Sequence, residues 1–232
     1  MNVPLDRFVC HIQDKCPSNC TCHKQPSDLG FYVSCINTSL RHLPKELPDP
    51  NYPPPRVGRF ELDFAANDMR VVVKRDYFRD AKKLFLNASR VHTVEDDAWR
   101  MLSAHVDYVD LSENRLTVLP KLLRLENLSF RWLALHNNPL RCDPEDAWVR
   151  DWLKSLGEGL HKPCHVFPAA CGSPYWLGGK NILELSEADF YRNPERDGNN
   201  LIVEVSSSRL LLRVSQQTHT VSNIHMKIYI NH

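Results

Sequence analysis

The sequence has almost no net charge: 29 Lys and Arg stand against 28 Asp and Glu, a balance of +1. Nothing in that balance calls for nucleic acid or an anionic membrane as partner. Long hydrophobic runs are missing as well. A membrane helix needs ~18 to 20 apolar residues, and the richest stretches, Leu201–Val205 and Leu210–Val214, are short and broken by Glu204 and Arg213. Met1 to Val9 contain no basic segment followed by an apolar one, so no signal peptide is read there. Signatures of catalysis are also lacking. There is no phosphate loop and no nucleophile elbow. The 11 His are scattered and read as no metal site. Asp96-Asp97 and Glu145-Asp146 are neighbours in sequence, so they do not converge as an acid/base pair; they read as solvated faces or a helix start. Cys164 adjoins His165, and sequence neighbours point apart. No enzyme and no cofactor are expected.

Cysteine is absent from one place in particular. All eight, Cys10, Cys16, Cys20, Cys22, Cys35, Cys142, Cys164 and Cys171, lie outside the interval between Cys35 and Cys142. That distribution predicts two stapled ends around a middle that folds without staples. Four glycosylation sequons, at Asn19, Asn37, Asn87 and Asn127, support an extracellular setting. A chain with these features but no signal or anchor is expected to be a piece of a longer extracellular protein.

The middle repeats. Phe130, Leu133, Leu135, Asn138 and Leu140 define a template that Val106, Val109, Leu111, Asn114 and Leu116 match. So do Ala81, Leu84, Leu86, Ser89 and Val91, with Ser in place of Asn. Leu62, Phe64, Asn67 and Met69 match with Arg59 failing the first position, and Val33, Cys35, Thr38 and Leu40 make a weaker copy. The Asn-equivalent positions 38, 67, 89, 114 and 138 are spaced by 29, 22, 25 and 24 residues. Leucine-rich repeats have this period. Each repeat supplies a short strand whose alternate side chains enter the core. The Asn binds backbone groups where the chain turns away, and neighbouring repeats stack to bury one another's apolar faces.

A solenoid exposes its core at both ends and needs caps. Cys16, Cys20, Cys22 and Cys35, followed by Leu40-Arg41-His42-Leu43-Pro44, resemble the N-terminal cap of extracellular leucine-rich-repeat proteins. Spacing alone leaves three pairings open, and a zinc site using these cysteines with His23 is a rival. The resemblance implies Cys16–Cys22 and Cys20–Cys35 bridges. Asn138-Pro139-Leu140-Arg141-Cys142, then Trp148 and Trp152, then Cys171 and Leu185-Ser186-Glu187-Ala188-Asp189, resemble the C-terminal cap. There a short helix carrying the Trp residues lies across the last repeat. The usual Cys-x-Cys start is replaced by Cys142-Asp143-Pro144, and the usual last Cys, near Tyr191, is absent. One bridge is therefore expected to be lost, with Cys142–Cys171 surviving. Cys164 can compete for Cys142, pair with Cys10 or stay free.

Cys10 fits as the last cysteine of a preceding cap. A cap joined directly to a second capped solenoid resembles Toll-type receptors with multiple cysteine clusters, mainly invertebrate, and this chain resembles their membrane-proximal module. The expected fold is α/β, a short leucine-rich-repeat solenoid with a parallel sheet on its concave face and disulfide-bonded caps. The expected divisions are residues 1–15 (end of a preceding cap), 16–48 (N-terminal cap), 57–140 (about four repeats), 141–191 (C-terminal cap) and 192–232 (a tail without family counterpart). In that tail Leu201–Val205, Leu210–Val214 and Met226–Ile230 read as short strands.

The template also predicts the concave surface: Tyr32 and Ser34, Glu61 and Asp63, Lys83 and Phe85, Tyr108 and Asp110, Trp132 and Ala134. Phe85, Tyr108 and Trp132, with Asp110 beside them, form a candidate protein-binding patch, since Tyr and Trp are favoured at interfaces. The competing expectation is that the rings pack on each other. Asn87 lies two residues past Phe85, so a glycan there obstructs part of the face. The resemblance implies a protein ligand or receptor self-association at the outer side of the plasma membrane, in innate immune or developmental signalling. A secreted binding or decoy protein and a structural spacer are the alternatives.

Overall fold

A computed structural model describes residues 9–25, 29–50, 59–124, 130–157, 165–167 and 169–192. Cys164, Asn127 and the strands expected in the tail lie outside the described residues. In chain order the strands are β1 (Cys10–His11), β2 (Thr21–Gln25), β3 (Gly30–Ser34), β4 (Arg59–Asp63), β5 (Val71–Val72), β6 (Lys83–Phe85), β7 (Thr93–Val94), β8 (Tyr108–Asp110), β9 (Trp132–Ala134), β10 (Leu140–Arg141), β11 (His165–Phe167) and β12 (Cys171–Ser173). The helices are α1 (Asp96–His105), α2 (Trp148–Gly157) and α3 (Glu187–Tyr191).

Eight of the strands form one sheet in the order β1-β2-β3-β4-β6-β8-β9-β11. The first two pairings are antiparallel and lie at the N-terminal end of the sheet. Every later pairing is parallel, one repeat beside the next. Parallel strands need a crossover between them. Here the crossovers carry a single 3₁₀ turn at Asp76–Arg79, the helix α1, and another turn at Lys121–Arg124. α1 packs against both turns. It begins on Asp96 and Asp97, whose charge suits a helix N-terminus, and ends on His105. Its buried face is Ala98, Trp99, Met101 and Leu102.

The core is the set of inward template positions. Leu62, Leu84, Val109 and Leu133 are fully buried in the strands, and Phe64, Leu86, Leu111 and Leu135 are buried just after them. The strands are short because the chain must turn inward two residues later, and there the Asn ladder takes over from the sheet. Asn114 Nδ2 donates to the carbonyls of Leu86, Leu111 and Ser112 at 2.9 to 3.0 Å, while its Oδ1 accepts from Ser89 and Val91 N–H. Asn67 does the same two levels up, donating to Cys35, Phe64 and Ala65 and accepting from Thr38 and Leu40. Asn138 donates to Leu111 and Leu135 and accepts from Leu116. Each Asn therefore closes its own turn and saturates the backbone of the repeat before it. Ser89 performs a reduced version: its Oγ donates to Phe64 and accepts from Asn67 N–H.

Three disulfides close the ends: Cys16–Cys22, Cys20–Cys35 and Cys142–Cys171. With all four N-cap thiols bonded to each other, the zinc reading with His23 falls. Cys10 is exposed and outside any disulfide. The first repeat is clamped to the N-terminal cap by Arg75, which donates to the carbonyls of Pro44 and Leu43, and by Tyr77, whose hydroxyl donates to Pro44. Burial holds that hydroxyl firmly protonated.

In the C-terminal cap, α2 buries Trp148, Val149, Trp152 and Leu153, and β10 pairs with β12. Of the two readings of Glu145-Asp146, the helix start holds, in a 3₁₀ turn at Pro144–Asp146, and the solvated face fails at its second residue. Asp146 is buried and accepts from Arg141 Nε at 2.7 Å, which neutralises it where a bare carboxylate would be costly. Gly172 marks the tightest approach of cap to repeat. A Cβ there would lie 2.5 Å from Pro139 Cα. Gly172→Ala is expected to cost about 2 kcal/mol or more through forced backbone movement, read as a lower urea midpoint in denaturation followed by Trp fluorescence.

Candidate protein-docking face

Strand register sorts the concave side chains into two rows. The first runs His11, His23, Tyr32, Glu61, Lys83, Tyr108, Trp132, His165. The second runs Ser34, Asp63, Phe85, Asp110, Ala134, Phe167. Adjacent members of a row stand one strand spacing apart, about 4.8 Å, and diagonal neighbours in the other row are still within reach of aromatic side chains.

They do meet. Phe85 and Tyr108 lie 5.2 Å apart between ring centroids, and Tyr108 and Trp132 stack at 3.7 Å with planes 6° apart. Trp132 meets Phe167 edge to face at 4.9 Å, and Phe167 lies 5.7 Å from His136. Phe85, Tyr108 and Trp132 are half-buried, while Phe167 stays 42% exposed. The rings thus pack on one another and still show a surface. Mutual packing fixes their rotamers, so a partner meets a preformed platform with little side-chain freedom left to lose.

Phe167 and His136 were not among the residues anticipated. Phe167 belongs to a strand supplied by the cap, His165–Phe167, which has no place in the repeat template; only its three-residue alternation hinted at it. His136 follows the last repeat strand, and its Nδ1 is buried with no hydrogen-bond partner among the described residues. The same added strand corrects Ala134. The template points it outward, yet it is fully buried. Its register partner is Phe167, and a side chain of one carbon disappears between Asp110 and that ring.

At the other end of the face, His23 stacks on Tyr32 at 5.1 Å, with His11 6.2 Å beyond His23. The two ends are joined by charge. Glu61 binds Arg59 and, at 3.0 Å, Lys83, whose ammonium also lies 5.8 Å from the Tyr108 ring centroid. Asp63 and Asp110 are different. Asp63 accepts Ala65 N–H, and Asp110 accepts from Ser112 N–H and Oγ. Neither forms an ion pair among the described residues. Burial holds the Asp63 carboxyl above its ordinary range; the Ala65 N–H opposes this, and the negative charges of Asp110 and Glu61 add to it. A raised folded-state value means that Asp63 contributes stability below its unfolded pKa and loses it as pH rises through the folded value. Asp63→Asn is therefore expected to raise the melting temperature at pH 7, with the gain vanishing at pH 3. Equal shifts at both pH values would refute this reading.

Among the expected glycan acceptors, Asn19 and Asn37 are exposed and Asn87 is half-buried. One histidine pair does have the four-residue spacing that metal-binding helices use: His161 and His165. Pro163 lies between them, His161 is outside the described residues, and His165 sits on β11 rather than a helix. Among the described residues no group of three or more His, Cys, Asp or Glu is placed to hold a metal ion.

A parallel sheet of stacked repeats, an Asn ladder and disulfide-bonded caps at both ends define a capped leucine-rich-repeat solenoid. The chain matches no family model. It is 28% identical over 185 residues to leucine-rich repeat-containing protein 3B of mouse and of human, a match covering 75% of this chain and 64% of each relative. It is 30% identical over 131 residues to the zebrafish protein of the same name, covering 55% of this chain and 47% of the relative. The chain thus spans less than two-thirds of the length of the curated relatives it matches. Among solved structures it resembles a chain of the Toll–Spatzle complex of Drosophila, with TM-score 0.62 and 20% identity over 81% of this chain and 23% of that one. The glycosylated form of the same complex gives TM-score 0.59. These likenesses are of fold. No described helix is long and apolar enough to cross a membrane.

Proposed function

We propose that this chain is a non-enzymatic protein-binding module of a Toll-like receptor ectodomain, the membrane-proximal solenoid of that receptor, acting in ligand recognition or receptor self-association. The observation that carries the binding role is the ring ladder Phe85–Tyr108–Trp132–Phe167 on the concave face. Aromatic anchors in a preformed, partly desolvated platform are where binding energy concentrates. Disulfides at both ends suit the oxidising space outside the cell. The Toll-type reading leans on the order of caps, with the Cys10 strand laid beside the N-terminal cap and its thiol open to a partner.

The test is binding of the chain to an array of purified extracellular domains, with self-association followed in parallel by sedimentation equilibrium. Phe85→Ala/Trp132→Ala is expected to weaken the interactions found at least tenfold while leaving the circular dichroism unchanged. Interactions that survive the double substitution at full strength refute the concave face. A chain that neither binds a domain nor self-associates leaves the spacer role.

A further inference from the structure

The two carboxylates of the second concave row indicate what kind of segment the ladder takes. They flank one ring. In register, Asp63, Phe85 and Asp110 occupy the same level of three adjacent strands, so the two carboxylates stand about two strand spacings apart, roughly 9 to 10 Å. Phe85 lies midway. The neighbouring first-row carboxylate, Glu61, is matched by Arg59 and Lys83, whereas Asp63 and Asp110 receive only neutral N–H and O–H donors. The fold thus balances one acidic group of the face and leaves two half-buried carboxylates with no cation beside them among the described residues. Each keeps acceptor capacity beyond its turn hydrogen bonds, so the pair is placed to receive a cation that arrives from outside.

The incoming group must carry positive charge and must tolerate a ring beneath it. A guanidinium or ammonium over Phe85 lies within about 5 Å of both carboxylates and within cation–π range of the ring. The chain already contains the same motif in small: Lys83 bonds a carboxylate and faces Tyr108. Beside that position, Tyr108, Trp132 and Phe167 offer apolar area. We propose that the concave face takes a basic segment of a protein partner, with an Arg or Lys side chain seated over Phe85 between Asp63 and Asp110 and an apolar or aromatic residue laid against Trp132 and Phe167. This rests on the protein-docking reading above and gives it a charge and a register.

The experiment selects peptides from a random library displayed on phage against the full 232-residue chain at low ionic strength. Affinities of the selected peptides are then measured for the parent, for Asp63→Asn/Asp110→Asn, for Phe85→Leu and for Trp132→Ala. Both Asn replacements keep a carbonyl oxygen for the turn hydrogen bonds, and Phe85→Leu keeps apolar volume while removing the ring face; melting curves confirm folding. The expected result is enrichment of Arg and Lys, a tenfold or greater loss on Asp63→Asn/Asp110→Asn, a smaller loss on Phe85→Leu, and weakening as salt rises. Peptides that are lost on Trp132→Ala but are neutral or acidic and indifferent to Asp63→Asn/Asp110→Asn overturn the basic-segment inference and leave the docking face standing. Peptides that bind every variant as tightly as the parent sink both.

Discussion

Asn114→Ala is expected to destabilise the solenoid by about 4 kcal/mol, far more than its size suggests. The side chain is buried and makes five hydrogen bonds. Truncation strands the N–H groups of Ser89 and Val91 on one repeat and the carbonyl of Leu86, all in the interior, while the Leu111 carbonyl keeps the Asn138 amide as donor. Each buried group left without a partner costs about 1 to 3 kcal/mol, and water cannot reach them without opening the turn. Ser89 supplies the internal control. It holds the same template position with a shorter reach and three hydrogen bonds, so Ser89→Ala should cost about 1.5 kcal/mol on the same reasoning. Urea denaturation followed by circular dichroism separates the two. A difference of less than about 1 kcal/mol between them would mean that the ladder is decoration and that apolar stacking alone holds the repeats.

How much of this was readable beforehand follows from where the physics is local. The repeat was legible because each copy carries two independent constraints, inward alternation and a turn-closing amide, and Ser89 and Thr38 show how far the second can be relaxed. Thr38 Oγ1 donates to Cys35 at 2.8 Å, the same backward reach that Asn67 makes to Phe64. The two rows of the concave face were legible too, since alternation over two residues decides which side a chain shows. What was hidden depended on neighbours that no repeat template specifies. Ala134 looks outward until β11 arrives beside it, and β11 comes from a cap segment of three residues with no repeat pattern. Asp146 looks solvated until Arg141 is seen to reach it. The crossovers follow no template: one is a single turn at Asp76–Arg79 and another a ten-residue helix, because the outer side of a solenoid has only to bridge two strands and bury a few apolar residues. The stacking of Tyr108 on Trp132 was likewise not readable, since strand spacing permits contact without choosing between stacked and tilted rings.

Cys142→Ala/Cys171→Ala is expected to cost about 3.5 kcal/mol, from the chain entropy released when a loop of this length is no longer closed; the bridge joins residues 29 apart. The loss should fall unevenly. Stability in a solenoid is passed between neighbours, and this bridge is the sole disulfide found among the described residues of the C-terminal cap. The second pair that the cap resemblance implies is missing: Cys142 is followed by Asp143-Pro144, and no Cys stands near Tyr191. In its place Arg150 spans the gap: it is buried on α2, donates to the Leu185 carbonyl at 3.3 Å, pairs with Asp151 at 2.7 Å and lies 5.5 Å from the Phe190 ring. That anchor holds α3 to α2 without a covalent bond. It does not hold β12 to β10, which are joined by their own backbone pairing and by Cys142–Cys171. The double variant should therefore unfold in two steps. The first removes the near-ultraviolet signal of Trp148, Trp152 and Trp176 at a lower temperature. The second removes the far-ultraviolet signal of the repeats, whose N-terminal cap keeps both of its bridges. Arg150→Ala added to that background should advance the first step further and leave the second in place. A single transition with both signals lost together would show that the cap and the repeats form one cooperative unit and that the bridge stabilises all of it equally.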